Sequence, residues 1–134
     1  MIGIDRIDHV VLTVRDIQTA CDFYARVLGM RVVTFDGGRR TALHFGRHKI
    51  NLHLAGREFE PKAATPVLGS ADLCFITATP IDEVIGHLRA CRVAIICGPV
   101  PKDGATGPLI SVYFRDPDGN LIEVSNNITA EHTG

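Results

Sequence analysis

The sequence predicts an α+β fold made from two copies of a βαβββ unit. Three observations lead to this prediction. An apolar, β-branched run at residues 7–14 is followed by a helical pattern and three strand patterns, a turn-rich segment occupies residues 55–69, and a second apolar run at 71–77 then begins the same order again. The 134 residues, of which 46% are hydrophobic and 22% charged, suffice for one domain with an apolar core.

The first copy is predicted from the spacing of its apolar residues. The run IDHVVLTV at 7–14 is typical of a buried strand, and Asp16 can cap the helix that follows. Apolar residues recur at intervals of three and four from Ile17 to Leu28, and Gly29 ends that helix. Three further strands are predicted, at Val32–Phe35, Thr41–Phe45 and Lys49–Leu54.

The second copy follows the same order with one long loop. After a strand at Ala71–Thr77, a hydroxyl cap at Thr79, a proline at the next position and two acids predict the start of a helix. The glycine- and proline-rich residues 98–108 predict a long loop, which we interpret as a lid. The remaining strands are predicted at Val93–Cys97, Leu109–Arg115 and Asn120–Ser125, with a turn at 116–119 between the last two.

These elements predict a single domain over residues 1–134. It consists of module one at about 4–55, a linker at 56–69, module two at about 70–126 and a tail at 127–134. A curled sheet would turn the faces that lie away from the helices into one concave cup.

Charge and hydropathy exclude several classes of function. The formal net charge is −1 and no run of Lys or Arg occurs, so nucleic acid is not an expected partner. No apolar run is long enough to span a membrane, and the N-terminus does not have the pattern of a signal peptide. Four cysteines without a CxxC pair predict reduced, buried thiols in a cytoplasmic protein.

Three polar side chains interrupt the apolar pattern of the strands. His9, His53 and Glu123 each point to the side opposite the most apolar face of their strand. Superposing the two copies places His9 on Asp72 and His53 on Glu123. Both copies therefore carry a potential metal ligand at the same two positions.

Buried imidazoles and carboxylates are costly unless a partner satisfies them, and a divalent metal ion does so. Two imidazoles with one carboxylate suit zinc, nickel, manganese or iron(II), and three protein ligands leave positions open for water or substrate. The sequence therefore predicts one metal ion held by His9, His53 and Glu123, although each alone also fits an ordinary core histidine or a solvent-facing glutamate. Asp72 is a fourth candidate, as a ligand, as a neighbour that acts through water, or as the polar start of its strand.

Three segments carry a resemblance to a known family. The segments DHVVLTVRDIQTACDFYARVLGM, INLHL and YFRDPDGNLIEV are similar to those of the vicinal oxygen chelate superfamily, which includes glyoxalase I, bleomycin-resistance proteins and extradiol dioxygenases. Within it, the segment GSADLCFIT most resembles the glyoxalase-domain-containing protein 5 group. The resemblance covers about residues 4–126. It implies an eight-stranded cup around a metal ion, in a homodimer that sometimes draws ligands from both chains.

The resemblance also implies roles for individual residues. His9 and His53 match the first-strand and last-strand ligands of module one, and Glu123 matches the last-strand ligand of module two. Asp72 stands where glyoxalase I often has a histidine, so the chain departs from glyoxalase I itself at this position.

These residues support three hypotheses of function. The first is a metal-dependent, glyoxalase-like lyase or isomerase, in which a small substrate is chelated through vicinal oxygens and Glu123 or Asp72 acts as base. The second is an iron(II) dioxygenase of the extradiol type, since two histidines and one carboxylate form the facial-triad set. The third is a protein that binds a small molecule, such as an antibiotic, without chemistry.

Four further side chains are candidates for contact with the substrate. Arg115 and Lys102 can bind an anionic group or can be ordinary surface charges. His44 and Tyr113 alternate with apolar neighbours in their strands, so each either lines the site or packs elsewhere.

Overall fold

The computed structural model describes residues 1–128 and confirms the predicted α+β class. The chain divides into two units, unit one at Met1–Leu68 and unit two from Gly69 onward. Each unit contains one helix and one four-stranded sheet, in the predicted βαβββ order. None of the helices within residues 1–128 has the length and apolar character needed to cross a membrane.

Unit one is built around a sheet of order β1-β4-β3-β2, in which β1 and β4 are parallel and the other pairs antiparallel. Helix α1 begins where Asp16 Oδ1 accepts a hydrogen bond from the backbone N–H of Thr19 at 2.8 Å, and it ends at Gly29 in the left-handed conformation. Both ends match the prediction. The elements are β1 His9–Val14, α1 Ile17–Leu28, β2 Arg31–Phe35, β3 Arg40–Phe45 and β4 His48–Leu54.

Unit two repeats this topology in a sheet of order β5-β8-β7-β6, with β5 and β8 parallel. Its strands differ from the prediction mainly in β6. The elements are β5 Asp72–Ile76, α2 Ile81–Ala90, β6 Cys97–Gly104, β7 Gly107–Arg115 and β8 Leu121–Asn127.

The predicted strand Val93–Cys97 and the predicted loop 98–108 are both wrong. Residues 93–96 are irregular, and β6 begins at Cys97 and pairs with β7 as far as Gly104. The glycine and prolines fit because β6 is an edge strand and its register with β7 shifts between Cys97 and Val100. Residues 98–108 therefore form most of one arm, the turn and the start of the second arm of a β-hairpin, so a paired strand replaces the predicted loop. The interpretation of this segment as a lid stays a prediction.

The cap of α2 also differs from the prediction. Pro80, not Thr79, is the N-cap residue, and its side chain makes no capping hydrogen bond. Asn126 of β8 satisfies this end instead, because its Oδ1 accepts from the backbone N–H of Ile81 at 2.7 Å. The Asn126 amide also donates to the carbonyl oxygens of Thr77 and Thr79, at 2.9 and 2.8 Å, so one side chain fastens the start of α2 to the sheet.

The core of each unit lies between the helix and one face of the sheet. In unit one, Tyr24 of α1 is fully buried with the alternating residues Leu12 and Val14 of β1. In unit two, Leu88 of α2 and Phe114 of β7 are fully buried in the same way. The opposite face of each sheet, here called the second face, carries the polar residues that the sequence singles out.

The segment DPDGN holds the end of unit two's sheet together. Asp116 Oδ1 accepts from the backbone N–H groups of Asp118 and Asn120, both at 2.9 Å, and Oδ2 accepts from the Asn120 amide at 2.8 Å. Asn120 Oδ1 in turn accepts from the N–H of Ala71, just before β5. These hydrogen bonds give this conspicuous motif a structural role.

Candidate functional site

His9 and His53 lie on the second face of unit one, as predicted, but not beside each other. In the parallel pair of β1 and β4, His9 is opposite Lys49, whereas His53 is opposite Thr13. Four residues of parallel strand separate the two positions by about 13 Å along the strand direction. The structure therefore does not bring the two predicted histidine ligands together within unit one.

His53 is enclosed by neighbours that favour a neutral ring. The residue is 4% exposed, its Nε2 lies 3.3 Å from Nη2 of Arg40, and its ring meets the edge of Phe59 at a centroid distance of 5.6 Å. Burial lowers the pKa of His53, and the charge of Arg40 lowers it further, while the carboxylate of Glu58 acts in the opposite direction. A neutral imidazole then accepts a hydrogen bond from the guanidinium.

We expect His53 to titrate below its ordinary pKa of 6.5. Because the pKa is lowered in the folded state, the unfolded chain takes up this proton first as the pH falls. His53 therefore contributes stability above pH 6.5 that is lost as the pH falls from 6.5 through the lower folded pKa. Histidine NMR titration measures this directly. Arg40→Gln is expected to raise the pKa of His53, whereas Arg39→Gln, at an exposed arginine paired with Asp36, should leave it unchanged. A value at or above 6.5 in the parent protein would contradict the prediction.

His9 has the opposite environment. Its side chain is 43% exposed at the start of the edge strand β1, and its Nδ1 lies 2.8 Å from Oδ1 of Asp8. The hydrogen bond to His9 lowers the pKa of Asp8, which is therefore the acceptor. A histidine that donates from Nδ1 to a carboxylate presents Nε2 to a metal ion, which is the usual arrangement of a metal-binding histidine.

Glu123 lies in a polar network on the second face of unit two. Ser125 Oγ donates to Glu123 Oε2 at 3.3 Å, and Ser125 and Ser111 are joined through their hydroxyls at 2.6 Å. Tyr113 lies directly opposite Glu123 in β7, where its hydroxyl can donate to the carboxylate. Burial, followed by the hydrogen bond and charge of Glu123, raises the pKa of Tyr113 to about 12. The phenol therefore stays protonated near neutral pH and donates to the carboxylate.

The strand registers correct the predicted superposition of the two copies. Asp72 lies two residues before Cys74, the partner of Glu123 in β8. His9 lies two residues before Val11, whose partner in β4 is Asn51. With His9 placed on Asp72, the position equivalent to Glu123 is therefore Asn51. The placement of His53 on Glu123 is wrong by two residues, a shift that keeps the same face and so leaves the apolar pattern unchanged.

These residues fit a metal ion in part. The imidazole of His9 and the carboxylates of Asp72 and Glu123 are suitable donors for a divalent cation. His53 fits poorly, because a guanidinium already lies 3.3 Å from its Nε2. Across residues 1–128, no three His, Cys, Asp or Glu side chains are grouped closely enough to hold a metal ion. The predicted set takes members from both units and stays a prediction.

Arg115, Lys102 and His44 have ordinary surroundings, and their contact with a substrate stays a prediction. Arg115 Nη1 donates to the carbonyl oxygen of Gly119 at 3.5 Å, and Lys102 Nζ lies 5.7 Å from the ring centroid of Tyr113. His44 lies opposite Lys49 on the second face of unit one. Sequence reasoning missed Arg40, whose part depends on contacts from a distant segment that no local pattern reveals.

The four cysteines are free among the described residues, but their predicted burial is only partly correct. Cys21 is buried on α1, whereas Cys74 and Cys97 are exposed. Both exposed thiols lie on the edge strands of unit two's sheet, β5 and β6. A residue of an edge strand has a neighbouring strand on one side only.

A family model described as the Glyoxalase/Bleomycin resistance protein/Dioxygenase superfamily matches residues 6–124. The chain belongs to this superfamily. This confirms the broad resemblance that the sequence motifs carry, including the paired βαβββ architecture.

Similar members of the superfamily come from a bacterium and a fungus. The chain is 57% identical over 125 residues to virulence protein STM3117 of Salmonella typhimurium, covering 93% of this chain and 86% of that protein. The crystal structure of that virulence protein has a TM-score of 0.93 over 95% of this chain and 100% of its own. Glyoxalase domain-containing protein RDO1 of Mycosarcoma maydis is 49% identical, with 93% of this chain and 70% of that protein covered.

A more distantly similar solved structure has the same fold. A lactoylglutathione lyase from Agrobacterium tumefaciens is 24% identical and has a TM-score of 0.70, over 92% of this chain and 95% of that one. At this identity the likeness concerns the architecture of the two modules.

Proposed function

We propose that this chain is a metal-dependent, glyoxalase-like lyase or isomerase that acts on a small molecule bound through neighbouring oxygens. The observation that carries the proposal is the surroundings of Glu123, a carboxylate on the second face that accepts a hydrogen bond from Ser125 and lies directly opposite Tyr113 in the neighbouring strand. Membership of the superfamily supports it. The finer resemblance to the glyoxalase-domain-containing protein 5 group belongs to the same proposal.

Glu123 is the proposed base for proton transfer, a role that requires its coordination to a bound metal ion to loosen, because a cation lowers the proton affinity of a carboxylate. A carboxylate that accepts hydrogen bonds is held in one orientation, and its partners share the negative charge. Tyr113 stays a neutral donor because its pKa is about 12, so it can support Glu123 in its charged form and reorient when Glu123 becomes protonated. Asp72, exposed at the start of β5, is the second candidate base.

The proposed metal ligands are His9, Asp72 and Glu123. This set keeps two predicted ligands and replaces His53 by Asp72. In the strand registers, Asp72 has the same position relative to Glu123 as His9 has relative to Asn51. Asp72 is therefore the counterpart of His9 in unit two. Zinc, nickel, manganese and iron(II) suit these donors. When bound, such an ion would polarise the substrate oxygens and stabilise the charge that develops on them. We further propose a cytoplasmic homodimer.

Metal analysis and turnover test the proposal together. Protein loaded with zinc, nickel, manganese or iron(II) should bind about one ion per chain and convert a methylglyoxal–thiol adduct. Metal content should fall in Asp72→Asn and persist in His53→Ala. Oxygen uptake with catechols under iron(II) would instead support the dioxygenase. Ligand binding without turnover under any metal would support a small-molecule-binding protein and contradict the lyase.

A further inference from the structure

Three buried polar atoms in unit one have no hydrogen-bond partner among the described residues 1–128. They are one donor, Nε of Arg40, and two acceptors, Oδ1 of Asn51 and Oε2 of Glu58. Asn51 is 5% exposed, and the Glu58 side chain is 8% exposed. Buried polar groups are almost always paired, so three unpaired ones in one region call for an explanation.

The three side chains surround His53. Arg40 contacts its ring nitrogen at 3.3 Å, and Asn51 precedes it by two residues on the same face of β4. Glu58 immediately precedes Phe59, whose ring meets that of His53 at a centroid distance of 5.6 Å, and its charge acts on the imidazole. The unpaired atoms therefore belong to one polar cluster on the second face of unit one.

The protein holds this cluster in place without pairing its charges to each other. The guanidinium carbon of Arg40 lies 5.1 Å from the ring centroid of Phe35 and 4.8 Å from that of Phe59, so aromatic rings restrict the guanidinium. Glu58 pairs through its other oxygen with Lys62, at 3.8 Å. Arg40 Nε and Glu58 Oε2 are thus unpaired among the described residues but almost without accessible surface, so a further partner reaches them only when neighbouring side chains move aside.

We infer that this cluster binds a small hydroxycarboxylate. One unpaired donor and two unpaired acceptors are complementary to a ligand that supplies one acceptor and two hydroxyl donors. Lys49 lies 4.3 Å from the Phe35 ring centroid, and Lys62 pairs with both Glu58 and Glu60. The three cations Arg40, Lys49 and Lys62 exceed the two carboxylates by one positive charge, so a monoanion fits. The ligand carboxylate then accepts from Arg40, and its hydroxyls donate to Asn51 and Glu58. The inference goes beyond the proposed function, because such binding requires neither a metal ion nor turnover.

Glycerate is a suitable probe, since it has one carboxylate and two hydroxyls. A calorimetric titration of the full chain with glycerate, in the presence of EDTA, should show saturable binding. Propionate, which has no hydroxyl, and glycerol, which has no carboxylate, should each bind at least about tenfold more weakly. Equal binding of propionate and glycerate, or no binding of glycerate, would overturn the inference and leave water molecules as the partners of these atoms.

A variant pair and a direct signal assign the site. Arg40→Gln should weaken glycerate binding by about tenfold or more, whereas Arg39→Gln should bind as the parent does. In the parent protein, glycerate should shift the NMR signal of the Arg40 Nε–H, a measurement that needs no variant to fold. Binding that leaves this signal unmoved would overturn the inference. Metal-dependent turnover can be present or absent in each case, so the two proposals fail independently.

Discussion

Gly98→Ala is expected to lower the free energy of unfolding by about 3 kcal/mol or more, because the change combines backbone strain with a clash. Gly98 has a φ of 103°, which residues with a side chain rarely adopt. A Cβ there would lie 2.4 Å from the carbonyl oxygen of Ser111 and 3.0 Å from Cα of Val112. Both are backbone atoms of the neighbouring strand, so relief requires β6 and β7 to separate. Urea denaturation measures the effect.

Gly86→Ala is the matched control for this substitution. Gly86 lies within α2, and apart from its chain neighbours and the adjacent backbone of its own helix, a Cβ there would meet no atom within 4 Å. Alanine is the better helix former, so this variant should be more stable by about 0.5–1 kcal/mol. If Gly98→Ala unfolds at the same urea concentration as the parent protein, β6 does not pack against β7 as described.

The same glycine shows why β6 escaped prediction. Glycine and proline usually mark loops, and residues 98–108 contain both in abundance. Here the glycine brings β6 close to the backbone of β7, and the edge position of β6 accommodates the prolines. Whether a strand lies at an edge depends on the whole sheet, which local composition does not reveal. By contrast, α1 was predicted at its observed bounds because Asp16 and Gly29 act locally.

The site shows a similar division between local and distant information. Alternation along each strand placed His9, His53 and Glu123 on the correct faces, because side chains alternate with a period of two. The same period left the superposition of the two copies ambiguous by two residues. Only the strand register shows that Asn51, not His53, is the equivalent of Glu123. The contacts of His53 with Arg40 and Phe59 depend on a different strand and on the predicted linker. No pattern in the sequence around His53 indicates them.

Glu123→Gln is expected to weaken metal binding by more than about a hundredfold. Removing a residue that only hydrogen-bonds a ligand typically costs up to about a hundredfold, so the loss of a ligand itself should exceed that value. The substitution keeps the size of the side chain and one acceptor oxygen but removes the negative charge that a divalent cation requires. Turnover should be lost with the metal. Competition with a coloured chelator measures affinity, and Glu60→Gln, at an exposed residue paired with Lys62, is the control. Unchanged affinity in Glu123→Gln would remove Glu123 from the ligand set.

Tyr113→Phe separates metal binding from proton transfer. This variant keeps the ring but removes the hydroxyl beside Glu123, so metal affinity should fall by about 10–100-fold, the usual effect of an outer partner. With metal at saturation, turnover should still fall by about tenfold or more. Mixing His9→Ala with Glu123→Gln subunits then identifies the chains that supply the ligands. In a homodimer that draws ligands from both chains, random exchange restores about a quarter of the sites, because half of the dimers are mixed and each has one intact site. If each chain supplies all of its own ligands, mixing restores none, because every chain lacks one ligand.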